Sequence, residues 1–151
     1  VGELNGRSSK QAYMDALHIS ESNIINQTFH NPIGKMNGQD ICIISLKEVS
    51  GNGLCCYRQV NDSDVLVLLE EQDYNEILDE TLQRIRRDFN HISGVFSINC
   101  VFRYLLFSQE HHMEDYLKTM STLGDHAGLI GFGEHYNQQF VNQTMTCVVF
   151  E

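Results

Sequence analysis

Three short apolar runs, separated by turn residues, constrain the fold of this chain more than any other feature. The segment DICIISLKEVSGNGLCCYRQVNDSDVLVLLEE contains strand-like runs near 40–49, 53–60 and 64–70. SGNG and NDSD separate them, and Gly, Asn, Asp and Ser are the residues that form tight turns between strands. The pattern therefore predicts an antiparallel meander.

Helical patterns occur on both sides of these runs. QDYNEILDETLQRIRRDFNH places Leu78, Leu82, Ile85 and Phe89 on one stripe behind a capping box that begins at Asp73. A shorter helix is predicted in SSKQAYMDALHIS, with Ser8 or Ser9 as its N-cap. Another is predicted after Ser108, which is its expected N-cap.

The remaining apolar segments complete the element order. SGVFSINCV is predicted to be a buried strand, HAGLIGFGEH and FVNQTMTCVVFE to be the last two strands, and residues 20–39 to be a long, partly irregular connection. A largely antiparallel β-sheet with helices packed against it accommodates this order. We therefore predict an α+β fold and a single domain over residues 1–151.

The composition argues against several classes of protein. A net charge of −10 disfavours binding to nucleic acid and to anionic membranes, which both require a basic face. No apolar run approaches the roughly 20 residues of a membrane helix, and the N-terminus lacks the apolar core of a signal peptide. The cysteines lack Cys-x-x-Cys spacing, which favours reduced cytoplasmic thiols over disulfides or a zinc site: Cys42, Cys55, Cys56, Cys100 and Cys147.

The turn Gly131-Phe132-Gly133-Glu134 has two interpretations. It lacks the lysine of a phosphate-binding loop and the third glycine of a dinucleotide fingerprint. The glycines are either a strand end that tolerates a bulge or positive φ, or they let a ligand approach the backbone while Glu134 accepts its hydrogen bonds. The four residues alone leave both interpretations open.

Cys100 and Arg103 follow the predicted buried strand, where a cation near the thiol would favour the thiolate. A core cysteine and a structural arginine are the alternative. A nucleophilic triad of Cys100, His126 and Glu134 has the right residue types, although no spacing brings the three together. His111-His112 predicts no shared metal site, because adjacent helical residues point about 100° apart.

Three segments, in order, resemble the C-terminal half of the FIST sensory domain, the FIST C domain: GNGLCCYRQVNDSDVLVLL, GVFSINCVFRYLLFSQE and GLIGFGEHYNQQFVNQTMTCVVFE. The family pattern has a Gly-containing hairpin, a Phe-Ser…Cys…Arg stretch followed by an acidic residue, a Gly…Gly-Glu turn and a final Asn-x-Thr strand. The resemblance marks Cys100, Arg103, Glu110, Gly131, Gly133, Glu134 and Asn142. His135 and Val141 depart from the pattern beside the predicted pocket, which leaves the ligand's identity open.

The resemblance implies an intracellular module that senses amino acids or related small polar metabolites for a signalling output domain. We therefore expect a cytoplasmic, non-enzymatic ligand-binding domain, part of a larger sensory protein and without a cofactor or metal. Arg103 and Glu134 would hold the two ends of a zwitterionic ligand. The predicted ligand-binding residues are Cys100, Arg103, Gly131, Gly133, Glu134 and Asn142.

Four alternatives remain at this point. Arg103 and Glu134 could form a structural ion pair only. The chain could be a half-domain whose function is to pair with the N-terminal FIST half. It could also be a haem sensor, as some family members are, or a cysteine-dependent enzyme.

Overall fold

The chain contains both helices and strands, and all but one of its strand pairs in the described residues are antiparallel, which confirms the predicted α+β class. The computed structural model describes residues 1–136 and 139–151. These form two compact units, Val1–Glu71 and Gln72–Glu151. Every helix in the described part of the chain is too short or too polar to span a membrane. That residues 1–151 act as a single domain stays a prediction.

The first unit is built mainly from short antiparallel strands. Its elements are β1 (Glu3–Leu4), β2 (Arg7–Ser8), α1 (Ser9–Leu17), α2 (Ile24–Gln27), β3 (Ile33–Asn37), β4 (Asp40–Ile44), β5 (Leu46–Ser50), β6 (Gly53–Cys56) and β7 (Leu66–Leu68). A 3-10 turn at Glu21–Asn23 precedes α2. The strands form two hairpins, β1-β2 and β5-β6, and a three-stranded sheet of order β4-β3-β7.

The predicted meander is wrong in two respects. The run 40–49 is two strands that separate at the buried Ser45. β7 pairs with β3 rather than with β6, and β3 lies inside the connection that was predicted to be irregular. β3 is possible there because Gly34 lets its neighbours pack closely: a Cβ at Gly34 would lie 2.8 Å from Ile41 Cγ2 and 2.8 Å from Val67 Cγ2.

The core of the first unit joins α1 and α2 to the strands. Ser8, one of the two predicted serines, is the N-cap of α1, and its side chain accepts a hydrogen bond of 3.2 Å from the Gln11 N–H. The buried residues of this core are Tyr13, Ile24, Ile33, Ile44, Leu46 and Leu54.

The second unit has a three-stranded sheet with helices between its strands. Its elements are α3 (Tyr74–Asp88), β8 (Gly94–Cys100), α4 (Val101–Gln109), α5 (Met113–Met120), β9 (Asp125–Gly131), β10 (Glu134–Tyr136), β11 (Gln139–Val141) and β12 (Met145–Phe150), with a 3-10 turn at Ser121–Leu123. β8 is the central strand; it is antiparallel to β12 and parallel to β9. The connection from β8 to β9 runs through α4 and α5.

The helices of this unit confirm one prediction and correct another. Asp73 caps α3 by accepting bonds from the N–H groups of Asn75 (2.8 Å) and Glu76 (3.3 Å). Ser108, however, does not cap the next helix. It lies inside α4 and donates a bond of 2.7 Å to the carbonyl of Tyr104, a local bond that serine commonly makes within helices.

The register assigns alternate residues of β8 to opposite faces of the sheet. Ser97 and Asn99 lie on the face that bonds to Tyr116 of α5. Phe96 and Ile98 lie on the other face, together with side chains of β9 and β12 that are about half exposed. We call this second surface the open face: Phe96, Ile98, Leu129, Val148 and Phe150.

Candidate functional site

The second unit brings three of the predicted ligand-binding residues together where β8 ends and α4 begins. Cys100 is the last residue of β8 and the N-cap of α4, which places Arg103 in the first turn of that helix. Gly131 lies opposite Cys100 in the parallel ladder. The Cys100 N–H donates a bond of 3.0 Å to the carbonyl of Thr144, which ties the strand end to the segment before β12.

Glu134 is the central acidic group of this site. It is only 2% exposed, and its Oε2 accepts a hydrogen bond of 2.7 Å from Thr144 Oγ1. Its Oε1 is also buried, but has no hydrogen-bond partner of good geometry among the described residues. Burial raises the pKa of Glu134, against the smaller lowering effects of Thr144, the Arg103 charge and the Cys100 thiol, a weak donor.

Arg103 is the cation of the site. Its Nε donates to Asn99 Oδ1 at 3.3 Å, and its guanidinium lies 4.8 Å from the centroid of the Phe107 ring. Burial lowers the pKa of Arg103, while Tyr116, Glu134 and Cys100 act in the opposite direction. Within residues 1–136 and 139–151, no ion pair joins Arg103 to Glu134.

The Cys100 thiol is enclosed and neutral rather than activated. The side chain is 0% exposed, and burial is the main cause of its raised pKa. The backbone N–H groups of Phe102, Gln143 and Thr144 approach the sulfur and lower this pKa, while the Glu134 charge raises it. The net effect raises the pKa of Cys100. The structure therefore favours the protonated thiol and not the thiolate that a neighbouring arginine suggests from the sequence.

The two glycines of the turn have different local roles. Gly133 has φ of +133°, and a Cβ there would lie 2.1 Å from Phe140 Cζ, so both the backbone conformation and Phe140 require glycine. A Cβ at Gly131 would lie 3.4 Å from the Gly133 carbonyl oxygen and 3.8 Å from Glu134 Oε1. Gly131 thus adjoins the unpartnered carboxylate oxygen, and Phe132 between the glycines is 89% exposed.

Two other marked positions lie outside this arrangement or at its margin. Asn142 is half-buried in the loop between β11 and β12, and its part in ligand binding stays a prediction. Glu110 is the C-cap residue of α4, where its carboxylate accepts a hydrogen bond from the hydroxyl of Tyr74. It is exposed and makes no hydrogen bond with the Arg103 and Glu134 side chains in the described part of the chain.

His111, His112 and His126 do not assemble a catalytic triad or a metal site in the described part of the chain. His126 bonds through Nε2 to Ser97 Oγ at 2.9 Å and pairs with Val95, five positions along β9 from the partner of Cys100. The triad with Cys100 and Glu134 is therefore not formed. His112 packs against the rings of Tyr74 and Phe107, with centroids 4.6 and 5.0 Å away, while His111 has a left-handed backbone.

A buried polar network supports the site and was not predicted from the sequence. Asn99 Nδ2 donates to Tyr116 Oη at 2.6 Å, and Tyr116 Oη donates to Met145 Sδ at 3.2 Å. Ser97 Oγ lies 3.3 Å from the same hydroxyl. The two-residue alternation of Ser97 and Asn99 on a strand was the available signal, because it puts both on one face. The spacing gives no indication that Tyr116 would meet them.

Comparison with known proteins identifies the family of this chain. A family model described as the FIST C domain matches residues 10–137, which include Cys100, Arg103, Gly131, Gly133 and Glu134. Neither a curated protein nor a solved structure matches the chain. Because the family model covers most of the 151 residues, the chain belongs to the FIST C domain family.

Proposed function

We propose that this chain is a sensory domain that binds a small polar ligand at Arg103 and Glu134. The observation that carries the proposal is the buried Oε1 of Glu134, which has no hydrogen-bond partner of good geometry among the described residues. A buried acceptor without a partner costs about 1–3 kcal/mol. A ligand that donates a hydrogen bond to this oxygen removes that cost, which gives the bound state an advantage.

Arg103 supplies the complementary group. Among the described residues its hydrogen bond goes from Nε to Asn99, so the two Nη groups are available to an acceptor. A molecule with an ammonium at one end and a carboxylate at the other matches this cation and anion, since charge-assisted hydrogen bonds are the strong ones. The ligand is therefore an amino acid or a related small polar metabolite, and Cys100, Gly131, Gly133 and Asn142 line its site.

The cellular setting is part of the same proposal. All five cysteines are free thiols, which fits a reducing cytoplasm. The sensing domain passes its state to a signalling output domain, either attached or a partner. The FIST C family membership supports this role.

A thermal-shift screen of amino acids and small polar metabolites tests the proposal. A ligand at 100 times its dissociation constant stabilises the folded chain by about 2.7 kcal/mol. Hits are then titrated by calorimetry against the unmodified chain and against Glu134→Gln, which keeps the shape of the side chain without its charge. A screen in which no zwitterionic compound raises the melting temperature would contradict the proposal.

Binding rather than catalysis is the role that the state of Cys100 supports. An enclosed thiol with a raised pKa is a poor nucleophile. Replacing Cys100 with Ser should preserve ligand binding in a sensor, whereas a cysteine-dependent enzyme would lose all turnover. Hydrolysis of any acyl substrate by the unmodified protein, abolished in Cys100→Ser, would establish the enzyme instead.

The open face favours a second candidate function, that of a half-domain which pairs with the N-terminal FIST half. Leu129, Val148 and Phe150 are 49%, 56% and 52% exposed on one surface, and a contiguous apolar surface commonly marks an interaction site. Co-expression with that half tests this candidate. A stable complex whose melting temperature responds to no ligand would favour pairing over sensing.

A further inference from the structure

The first unit contains a groove that is separate from the residues of the proposed sensory site. Its volume is about 230 Å³, and it lies between the β1-β2 hairpin, α1 and strands β3 and β7. The buried side chains of Tyr13 and Ile33, 3% and 4% exposed, form part of its wall. The Tyr13 hydroxyl already donates a bond of 2.7 Å to the Asn31 carbonyl, so Tyr13 offers the groove little besides its ring.

The groove exists because small residues of α1 face larger ones of β7. Ala12 and Ala16 are four residues apart and therefore lie on the same side of the helix. Leu66 and Leu68 line the groove from β7, and their register with β3 places both on one face of the sheet. Two methyl groups leave the space between helix and strand unfilled, so an apolar ligand can occupy it.

One of the residues that line this apolar groove, Arg7, carries a positive charge. Arg7 uses Nη2 in an ion pair with Asp15, and the other donors of its guanidinium make no hydrogen bond within the described residues. Its side chain is 59% exposed, so a ligand can reach these donors. The planar guanidinium fork suits a carboxylate, which it can bind through two parallel hydrogen bonds.

We propose that this groove binds a small aliphatic carboxylate, with its hydrocarbon chain along Ala12, Ala16 and Leu66 and its carboxylate on Arg7. An apolar cavity of about 150 Å³ is enough to bind benzene, so a groove of about 230 Å³ can take a chain of about six carbon atoms. This site is independent of the sensory site, so an experiment that contradicts one of the two proposals leaves the other unaffected.

Hexanoate is the probe that tests the groove, with hexan-1-ol and hexylamine as matched compounds of equal chain length. In calorimetric titration of the full chain, hexanoate should bind, and hexan-1-ol should bind about tenfold more weakly because it loses the charge-assisted hydrogen bond. Hexylamine should bind more weakly still, since its ammonium meets Arg7. Equal affinities for hexanoate and hexan-1-ol, or no heat with hexanoate, would overturn the proposal.

Two substitutions locate the site. Ala16→Leu fills the groove from an exposed helical position and should abolish hexanoate binding, whereas Ala127→Leu on β9 of the second unit should leave it unchanged. Arg7→Gln should reduce hexanoate affinity about tenfold and leave hexan-1-ol affinity unchanged. Arg87→Gln on α3 is its control.

Ala12→Leu serves as a second filling variant if the melting curve shows that Ala16→Leu is unfolded. Glu134→Gln should bind hexanoate like the unmodified chain, which separates this site from the sensory one. Undiminished binding of hexanoate by a folded filling variant, or by Arg7→Gln, would overturn the assignment.

Discussion

Arg103 and Glu134 influence each other's charge, yet no ion pair joins them in the part of the chain that the structure describes. Each side chain is hydrogen-bonded to a different residue instead: Arg103 donates to Asn99, and Glu134 accepts from Thr144. A cation and an anion held apart in a partly dry site are pre-organised for a ligand that carries both opposite charges. A structural pair would show a direct bond.

Removing either charge should therefore damage binding more than folding. Arg103→Ala and Glu134→Ala should each weaken binding of the screened ligand by about one to two decades, the effect of losing a charge-assisted hydrogen bond. The melting temperature without ligand should fall only by the effect of one lost hydrogen bond, Arg103 to Asn99 or Thr144 to Glu134, because neither residue is the ion-pair partner of the other. Melting curves and calorimetric titrations on the same preparations measure both effects.

Arg87→Ala provides the control for this pair of variants. Its side chain is 75% exposed on α3, so its loss should alter neither binding nor melting. If Arg103→Ala or Glu134→Ala instead lowers the melting temperature while the remaining folded protein binds normally, the two residues are structural and the ligand-binding interpretation fails.

The raised pKa of Glu134 predicts a pH-dependent gain from Glu134→Gln. Burial disfavours the carboxylate, so the folded state holds its proton to a higher pH than the ordinary value of 4.5. The stability of the unmodified chain should therefore fall as the pH rises from 4.5 through the folded pKa. Glu134→Gln carries no such charge, so the melting-temperature difference between the two proteins should favour the variant above that window and shrink below it.

The same protonation should govern ligand affinity. The carboxylate accepts a ligand ammonium but the carboxylic acid does not, so affinity for a cationic ligand should fall as the pH drops through the raised pKa of Glu134. Calorimetric titration over a pH series measures this change in affinity. A flat affinity profile would show that the ligand does not engage Glu134 through charge.

The lowered pKa of His126 predicts the opposite dependence of stability on pH. Burial lowers its pKa below the ordinary value of 6.5, so the unfolded chain binds the proton more readily than the folded chain. The contribution of His126 to the free energy of unfolding should be fully present above pH 6.5. It should be lost as the pH falls from 6.5 through the folded pKa. His126→Gln should flatten this part of the melting-temperature profile. Identical slopes for His126→Gln and the unmodified chain would contradict the prediction.

Local signals in the sequence predicted the elements that depend on local interactions. Asp73 and the stripe of Leu78, Leu82 and Ile85 identify α3, because a cap and a periodic apolar face are properties of one segment. β3 could not be predicted from such local signals. Its strand pairs depend on the close packing at Gly34, which involves residues distant in sequence.

The site was predictable only in part, for the same reason. Cys100, Arg103 and Glu134 follow from the family pattern, and the structure places them near one another. The sequence could not show that Thr144 takes one oxygen of Glu134 and leaves the other buried, since this depends on where the β10-β11 hairpin lies relative to β12.

Tyr116 provides the last prediction, because it connects the core to Arg103. Its hydroxyl accepts a hydrogen bond from Asn99 Nδ2, and Asn99 Oδ1 in turn accepts one from Arg103 Nε. Tyr116→Phe removes this partner from the half-buried Asn99 amide, which should destabilise the chain by about 0.5–1.5 kcal/mol, the net value of one hydrogen bond. Asn99 is then free to turn, so ligand affinity should also decrease, although Tyr116 itself is 1% exposed. Tyr104→Phe, at a 38% exposed position on α4, should change neither property. Denaturant unfolding and calorimetric titration measure the two effects, and a Tyr116→Phe protein that is destabilised but binds with unchanged affinity would show that Asn99 does not position Arg103.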